Sequence, residues 1–124
     1  MSVSENKSKV VYLDDEEINL LLFKEMFKKD FEVFTTTFPE EALEFVKSND
    51  VEFVFTDQRM PLMSGVEFLR AMEDMGMADS TKKVMISGYA AEGEVSEAIE
   101  QNLIDRFIDK PWTYDGLKMA ISSI

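Results

Sequence analysis

Three kinds of side chain in this 124-residue sequence are suited to covalent chemistry in combination: the carboxylates of Asp14, Asp15 and Asp57, the hydroxyl of Ser87 and the ammonium of Lys110. Each follows or closes an apolar run. Asp14 and Asp15 come after Val10-Val11-Tyr12-Leu13, Asp57 shortly after Phe53-Val54-Phe55, Ser87 at the end of Val84-Met85-Ile86, and Lys110 after Phe107-Ile108-Asp109. Three aspartates held within roughly 5 Å would repel by about 3 kcal/mol per pair at an effective dielectric of about 20, so such a cluster needs a counter-charge or protons. Lys110 supplies one positive charge. All-oxygen ligands without His or Cys point to a hard divalent cation that keeps several waters, magnesium before others. With the charge neutralised, an incoming phosphoryl group could be held there while one carboxylate attacks phosphorus to give an acyl phosphate. Asp57 is the candidate nucleophile, because the Met60-Pro61 turn that follows stops a helix from starting at once and keeps a loop beside the attacking oxygen.

The elements that would position these groups are legible in the hydrophobic pattern. Short apolar runs at residues 10–13, 31–35, 51–56, 83–87 and 106–108 read as buried strands, rich in Val, Ile and Phe. Between them, apolar residues recur at helical spacing: Ile18, Leu22 and Met26; Ala42, Phe45 and Val46; Val66, Leu69 and Met72; Val95, Ala98 and Ile99; and Leu117, Ala120, Ile121 and Ile124. These stripes are expected to face the core. Thr37 with Glu40 and Ser64 with Glu67 carry a capping-box pattern, Thr113 is a plainer N-cap, and Gly76 is expected to end the third helix. Strands joined by crossover helices must run parallel, and five of them suit the flavodoxin-like order 2-1-3-4-5, an α/β fold with helices on both faces. In such a sheet ligands bind beyond the carboxyl ends of the strands, at the switch between the first and third. That is where the polar residues fall.

Composition narrows the function further. Thirteen basic against 25 acidic residues give a net charge of −12, a field that repels phosphate backbones and anionic headgroups, so neither nucleic acid nor membrane is an expected partner. Without histidine or cysteine, a His-based triad, a thiolate metal site and a phosphohistidine carrier are ruled out as activities of this chain alone. No apolar run approaches a membrane span, and the polar first residues lack the apolar stretch of a secretory signal, which makes the cytoplasm the expected location.

Taken together, Leu13-Asp14-Asp15, the run from Asp57 through Met60-Pro61 to Ser64-Gly65, Ser87-Gly88-Tyr89-Ala90 and Ile108-Asp109-Lys110-Pro111-Trp112 make the chain resemble a response-regulator receiver domain of two-component phosphorelays. The resemblance covers residues 9–124 and leaves 1–8 as a flexible tail. It implies that Asp14, Asp15, Asp57 and the main-chain carbonyl of Arg59 hold Mg²⁺, and that Asp57 accepts phosphate. It further implies that Lys110 grips a phosphoryl oxygen, that Ser87 is the switch hydroxyl, and that Phe107 is the aromatic which changes rotamer with it. Phe107 lacks the hydroxyl of the tyrosine often found there, so its switch would work by packing. Arg59 and Tyr89 occupy positions that tune dephosphorylation, Tyr89 by shielding the acyl phosphate from water. A cis peptide before Pro111 is expected. The implied partners are a sensor histidine kinase or histidine phosphotransfer protein and a downstream effector domain or protein, reached through the fourth helix, fifth strand and fifth helix, about residues 94–124. A phosphorylation-dependent dimer is left open. The likeness is to a switch module that undergoes phosphorylation and autodephosphorylation, not to a dedicated turnover enzyme.

Each group also has a plainer reading. Asp14-Asp15-Glu16-Glu17 could complement the positive end of a helix, and Asp57 with Pro61 could form an ordinary turn. Two other functions share parts of the pattern. A magnesium-dependent phosphohydrolase of the haloacid-dehalogenase type would want an aspartate where Arg59 stands. A flavodoxin-like redox carrier would want a hydroxyl- and glycine-rich loop where the chain has Asp-Asp-Glu-Glu.

Overall fold

The computed structural model describes residues 7–76, 80–88 and 93–124. In chain order these form β1 (Lys9–Leu13), α1 (Glu17–Phe27), β2 (Glu32–Thr36), α2 (Pro39–Ser48), β3 (Val51–Thr56), α3 (Gly65–Asp74), β4 (Lys82–Ser87), α4 (Glu94–Glu100), β5 (Arg106–Asp109) and α5 (Tyr114–Ser122). The strands make one sheet of order β2-β1-β3-β4-β5, every neighbour parallel, as the alternation of strand and helix requires. Most of the expected tail, residues 1–6, lies outside the described residues; Ser8 already accepts a hydrogen bond from Glu32 N at 2.9 Å. No helix among the described residues is long and apolar enough to cross a membrane.

Strand side chains alternate between two layers. Val11, Leu13, Val54 and Met85 point into an aliphatic layer completed by Ala42 and Val46 of α2, Val66, Leu69 and Met72 of α3, and Val95 and Ala98 of α4. Val10, Tyr12, Phe53, Phe55, Val84 and Ile86 point the other way, against Leu20, Phe23 and Phe27 of α1 and Leu117 of α5. This second layer is largely aromatic. The Phe23 ring lies 4.8 Å from Tyr12, 4.8 Å from Phe27, 4.9 Å from Phe55 and 6.0 Å from Trp112, the last edge-on. Trp112 thus anchors the loop before α5.

Three sequence expectations are corrected here. The stripe Ile18, Leu22 and Met26 faces outward, these residues being 60%, 44% and 42% exposed, while Leu20, Phe23 and Phe27 are buried. Because α1 is apolar on both sides, spacing alone admits two orientations. The one adopted buries two phenylalanine rings against the aromatic layer, more apolar area than the aliphatic stripe offers. Ile99 of α4 is likewise 37% exposed, at the edge of its contact. The Thr37–Glu40 capping box does not form. α2 begins at Pro39 with Phe38 as N-cap, which moves Glu40 out of the third position; Thr36 Oγ1 accepts from Phe38 N at 3.0 Å instead and donates to Glu41.

The remaining caps are as expected. Ser64 Oγ accepts from Glu67 N at 3.1 Å while Ser64 N donates to Glu67 Oε1 at 2.8 Å, and Thr113 Oγ1 accepts from Gly116 N at 3.0 Å. Gly76 follows α3 with a φ of +75°, the left-handed conformation that glycine adopts without strain.

Candidate functional site

Register sets the site. Leu13 is paired with Thr56 at the ends of β1 and β3, so Asp14 and Asp57 leave adjacent strands at the same height, and Asp57 N continues the ladder by donating to Leu13 O at 3.1 Å. Across β4, Ser87 is paired with Asp109, and Lys110 N donates to Ser87 O at 2.9 Å, which delivers the lysine to the same rim. Asp57 also sits against Gly65. A Cβ there would come within 2.3 Å of Asp57 O and 2.9 Å of the Met85 methyl, so the start of α3 can press this closely only as glycine.

Lys110 Nζ donates to Asp57 Oδ2 at 3.1 Å and to Asp14 Oδ2 at 3.2 Å, with Glu16 Oε1 at 3.9 Å. Asp14 is fully buried and held on every side: Tyr12 OH donates to Oδ2 at 2.8 Å, Asn19 Nδ2 to Oδ2 at 3.3 Å and Glu16 N to Oδ1 at 2.9 Å. Asp57 Oδ1 accepts from Gln58 N at 2.7 Å. One carboxylate oxygen from each of Asp14, Asp15 and Asp57 lies within 4.8 Å of the others. Asp15, Glu16, Asp57, Arg59, Gly88 and Lys110 line an open depression of 260 Å³ above them.

The electrostatics follow from crowding. Burial lifts the Asp57 carboxyl above its ordinary range; Lys110 pulls it back and Asp14 pushes it up again, leaving it raised. Asp15 is also raised, chiefly by desolvation and then by Asp14 and Glu16 against a main-chain hydrogen bond. Burial alone would lower the Lys110 ammonium, but the carboxylates of Asp14 and Asp57 outweigh it, and its pKa is raised. The Tyr12 phenol is pushed well up by burial and by Asp14, so it stays a donor to that carboxylate. Lys110 pairs with Asp14, Glu16 and Asp57, and Asp15 adds a fourth carboxylate beside them, a cluster of oxygen donors that fits a hard divalent cation.

Asp14, Asp15, Asp57, Arg59, Ser87 and Lys110 therefore converge on one rim of the sheet. Ser87 is buried at the end of β4, and Phe107 is half-buried on β5 against the aliphatic layer. The Lys110-Pro111 peptide is cis. Tyr89 lies outside the described residues. Sequence reading missed Tyr12, Asn19, Glu16 and Gln58. Tyr12 carries a faint signal, since a phenol in a doubly covered strand needs a polar partner at a strand end. Asn19 is one too, a lone amide amid the apolar residues of α1.

A five-stranded parallel sheet of this order, with an acidic pocket and a lysine at its carboxyl rim, defines a doubly wound α/β domain whose polar groups sit at the switch between β1 and β3. The chain belongs to the response regulator receiver domain family, whose model matches residues 10–122. This is a family of two-component signalling domains and not of dedicated enzymes. Among curated relatives, the hydrogenase transcriptional regulatory protein HoxA of Cupriavidus necator is 28% identical over 93% of this chain, which spans only 23% of that protein's length. The polar-differentiation response regulator DivK of Brucella ovis is 24% identical, covering 82% of this chain and 83% of its own. Among solved structures, the response regulator TrrA of Thermotoga maritima, in complex with Mg²⁺-BeF, superposes with a TM-score of 0.77 at 23% identity, covering 94% of this chain and 97% of that one.

Proposed function

We propose that the chain is a phosphoacceptor, in which Asp57 takes a phosphoryl group from the phosphohistidine of a sensor kinase or phosphotransfer protein in a Mg²⁺-dependent step. A carboxylate oxygen of Asp57 forms the new P–O bond, the P–N bond breaks, and the imidazole leaves carrying its electron pair and takes a proton. The observation that carries this reading is the buried Asp57 carboxylate, 3.1 Å from Lys110 and within 4.8 Å of the oxygens of Asp14 and Asp15, at the floor of an open depression.

Asp14, Asp15, Asp57 and the Arg59 carbonyl would hold the cation, which when bound supplies charge neutralisation at the carboxylates and at the incoming phosphoryl oxygens. Lys110 then orients a phosphoryl oxygen by a charge-assisted hydrogen bond. Ser87, on the neighbouring strand end, is the hydroxyl assigned to the new charge, and Phe107 repacks with it. Tyr89 and Arg59 set how readily water reaches the acyl phosphate, so that autodephosphorylation ends the signal. Adding about −1.5 to −2 charge at Asp57 biases the surface formed by α4, β5 and α5 toward an effector. Residues 9–124 form the receiver unit, acting in the cytoplasm.

Incubation with acetyl phosphate and Mg²⁺ tests the reading directly. The expected result is an acid-stable, base-labile mass gain of about 80 Da, absent when Mg²⁺ is chelated. A gain that persists without Mg²⁺, or none at all, contradicts it.

A further inference from the structure

Gln58 joins three elements at once. Its main-chain N–H donates to Asp57 Oδ1 at 2.7 Å, and its main-chain carbonyl accepts from Gly65 N at 2.9 Å. Its side-chain Oε1 accepts from Val66 N, in the first turn of α3, at 3.0 Å, while Nε2 donates to Glu94 Oε1, on the first residue of α4, at 2.8 Å. The partners fix the orientation of the amide, since a main-chain N–H only donates and a carboxylate only accepts. Further along, Arg70 of α3 bonds Gln101 at 2.7 Å, just past the end of α4, and pairs with Glu97 at 3.9 Å. α4 is thus tied to α3 at both of its ends, and the Gln58 tie reaches the carboxylate of the candidate nucleophile.

We infer that Gln58 is a positioning residue that transmits the charge on residue 57 to the N-terminal end of α4. The inference takes its biological trigger from the phosphoacceptor reading, but its mechanics require only that the charge at residue 57 change. A hydrogen bond to an ionised carboxylate is roughly twice as strong as one to a neutral acceptor. When Asp57 becomes an acyl phosphate, one oxygen bridges to phosphorus and the other becomes a neutral carbonyl, so the Gln58 N–H loses its anionic acceptor. The 57–58 peptide is then released from its strongest restraint. The side chain that spans Val66 and Glu94 moves with that peptide, and α4 moves with Glu94.

The experiment replaces the charge without any phosphoryl donor. Amide chemical shifts of residues 95–100 are compared between the wild type and Asp57→Asn, metal-free, and again in Gln58→Glu, Glu94→Ala and Gln58→Glu/Glu94→Gln backgrounds. Gln58→Glu keeps an acceptor for Val66 N but sets a carboxylate against Glu94. Adding Glu94→Gln restores the bond with its polarity reversed. The expected result is an α4 response to Asp57→Asn in the wild type that falls about twofold or more in Gln58→Glu and in Glu94→Ala, and returns in the double variant. Gln58 acting only as a staple predicts equal responses in all backgrounds. That outcome overturns the inference, as does no α4 response in the wild type or a loss that Glu94→Gln does not restore. In the same samples, acetyl phosphate with Mg²⁺ reports on residue 57 separately. If it leaves Asp57 unmodified while α4 behaves as expected, the phosphoacceptor reading fails and the Gln58 linkage stands.

Discussion

The two rims of the sheet both carry charge, yet they differ in what surrounds it. At the amino rim Lys7, Lys9, Glu32, Asp50 and Glu52 line a depression of 660 Å³, more than twice the 260 Å³ of the carboxyl rim. Its acidic side chains are exposed, mixed with lysines and screened by water, and Lys9 is satisfied by Asn49 at 3.1 Å. At the carboxyl rim Asp14 and Asp57 are 0% and 8% exposed, share one lysine and are pushed together by the ends of paired strands. Cavity size and charge count therefore do not mark the site. Burial without full compensation does.

Several substitutions sharpen that contrast. Phe23→Ala has the largest expected effect, about 3–5 kcal/mol of lost stability in denaturant unfolding. It also loosens the carboxyl rim, because the Phe23 ring backs both Tyr12, which holds Asp14, and Trp112, two residues from Lys110. Next comes the cation. Mg²⁺ at 100 times its dissociation constant is expected to stabilise the wild type by about 2.7 kcal/mol, read as a rise in Tm, whereas Asp14→Asn abolishes most of the rise and Asp50→Asn at the opposite rim leaves it unchanged.

Asp57→Asn is expected to stabilise the metal-free protein, since it removes a desolvated charge from beside Asp14 and leaves Lys110 paired with Asp14 and Glu16. The pH dependence carries the same sign. A carboxyl whose folded-state pKa lies above its unfolded value destabilises the fold fully above the folded pKa, and that penalty disappears as pH falls below the unfolded one. Metal-free wild type should thus gain stability relative to Asp57→Asn as pH drops through the carboxylate range, measured by unfolding at a series of pH values. The smallest effect belongs to the amino rim. Asp50→Asn alone should change stability by less than about 0.5 kcal/mol, and a larger change would break the contrast between the rims.

The parts of this arrangement that were readable in the sequence are those carried by strong local patterns. Strand β3 was expected at its observed bounds, because the apolar residues Val51 and Phe53-Val54-Phe55, broken only by Glu52 and ending in Thr56-Asp57, leave one choice. Crossover handedness left few topologies, and the flavodoxin-like order that suits five strands is the one adopted, which brings Asp14, Asp57, Ser87 and Lys110 to one rim. The orientation of α1 was not readable, since Ile18-Leu22-Met26 and Leu20-Phe23-Phe27 satisfy the same periodicity and only the aromatic side chains of the facing strands decide between them. The start of α2 was missed because Pro39 fixes the first turn more firmly than Thr37 could. Within the site, charged residues following strands announced themselves. Gln58 did not, because a neutral side chain in a loop acquires its role only when α3 and α4 are brought to it.

The central claim is that one carboxylate, at residue 57, takes up the phosphoryl group. Borohydride reduction of the protein after acetyl phosphate and Mg²⁺ treatment, followed by peptide mass mapping, tests it most directly, because an acyl phosphate on aspartate is reduced to homoserine where a free carboxylate is not. The account predicts homoserine at position 57 and unreduced aspartate at positions 14 and 15. Homoserine at either of those positions, or none anywhere in the chain, would contradict it.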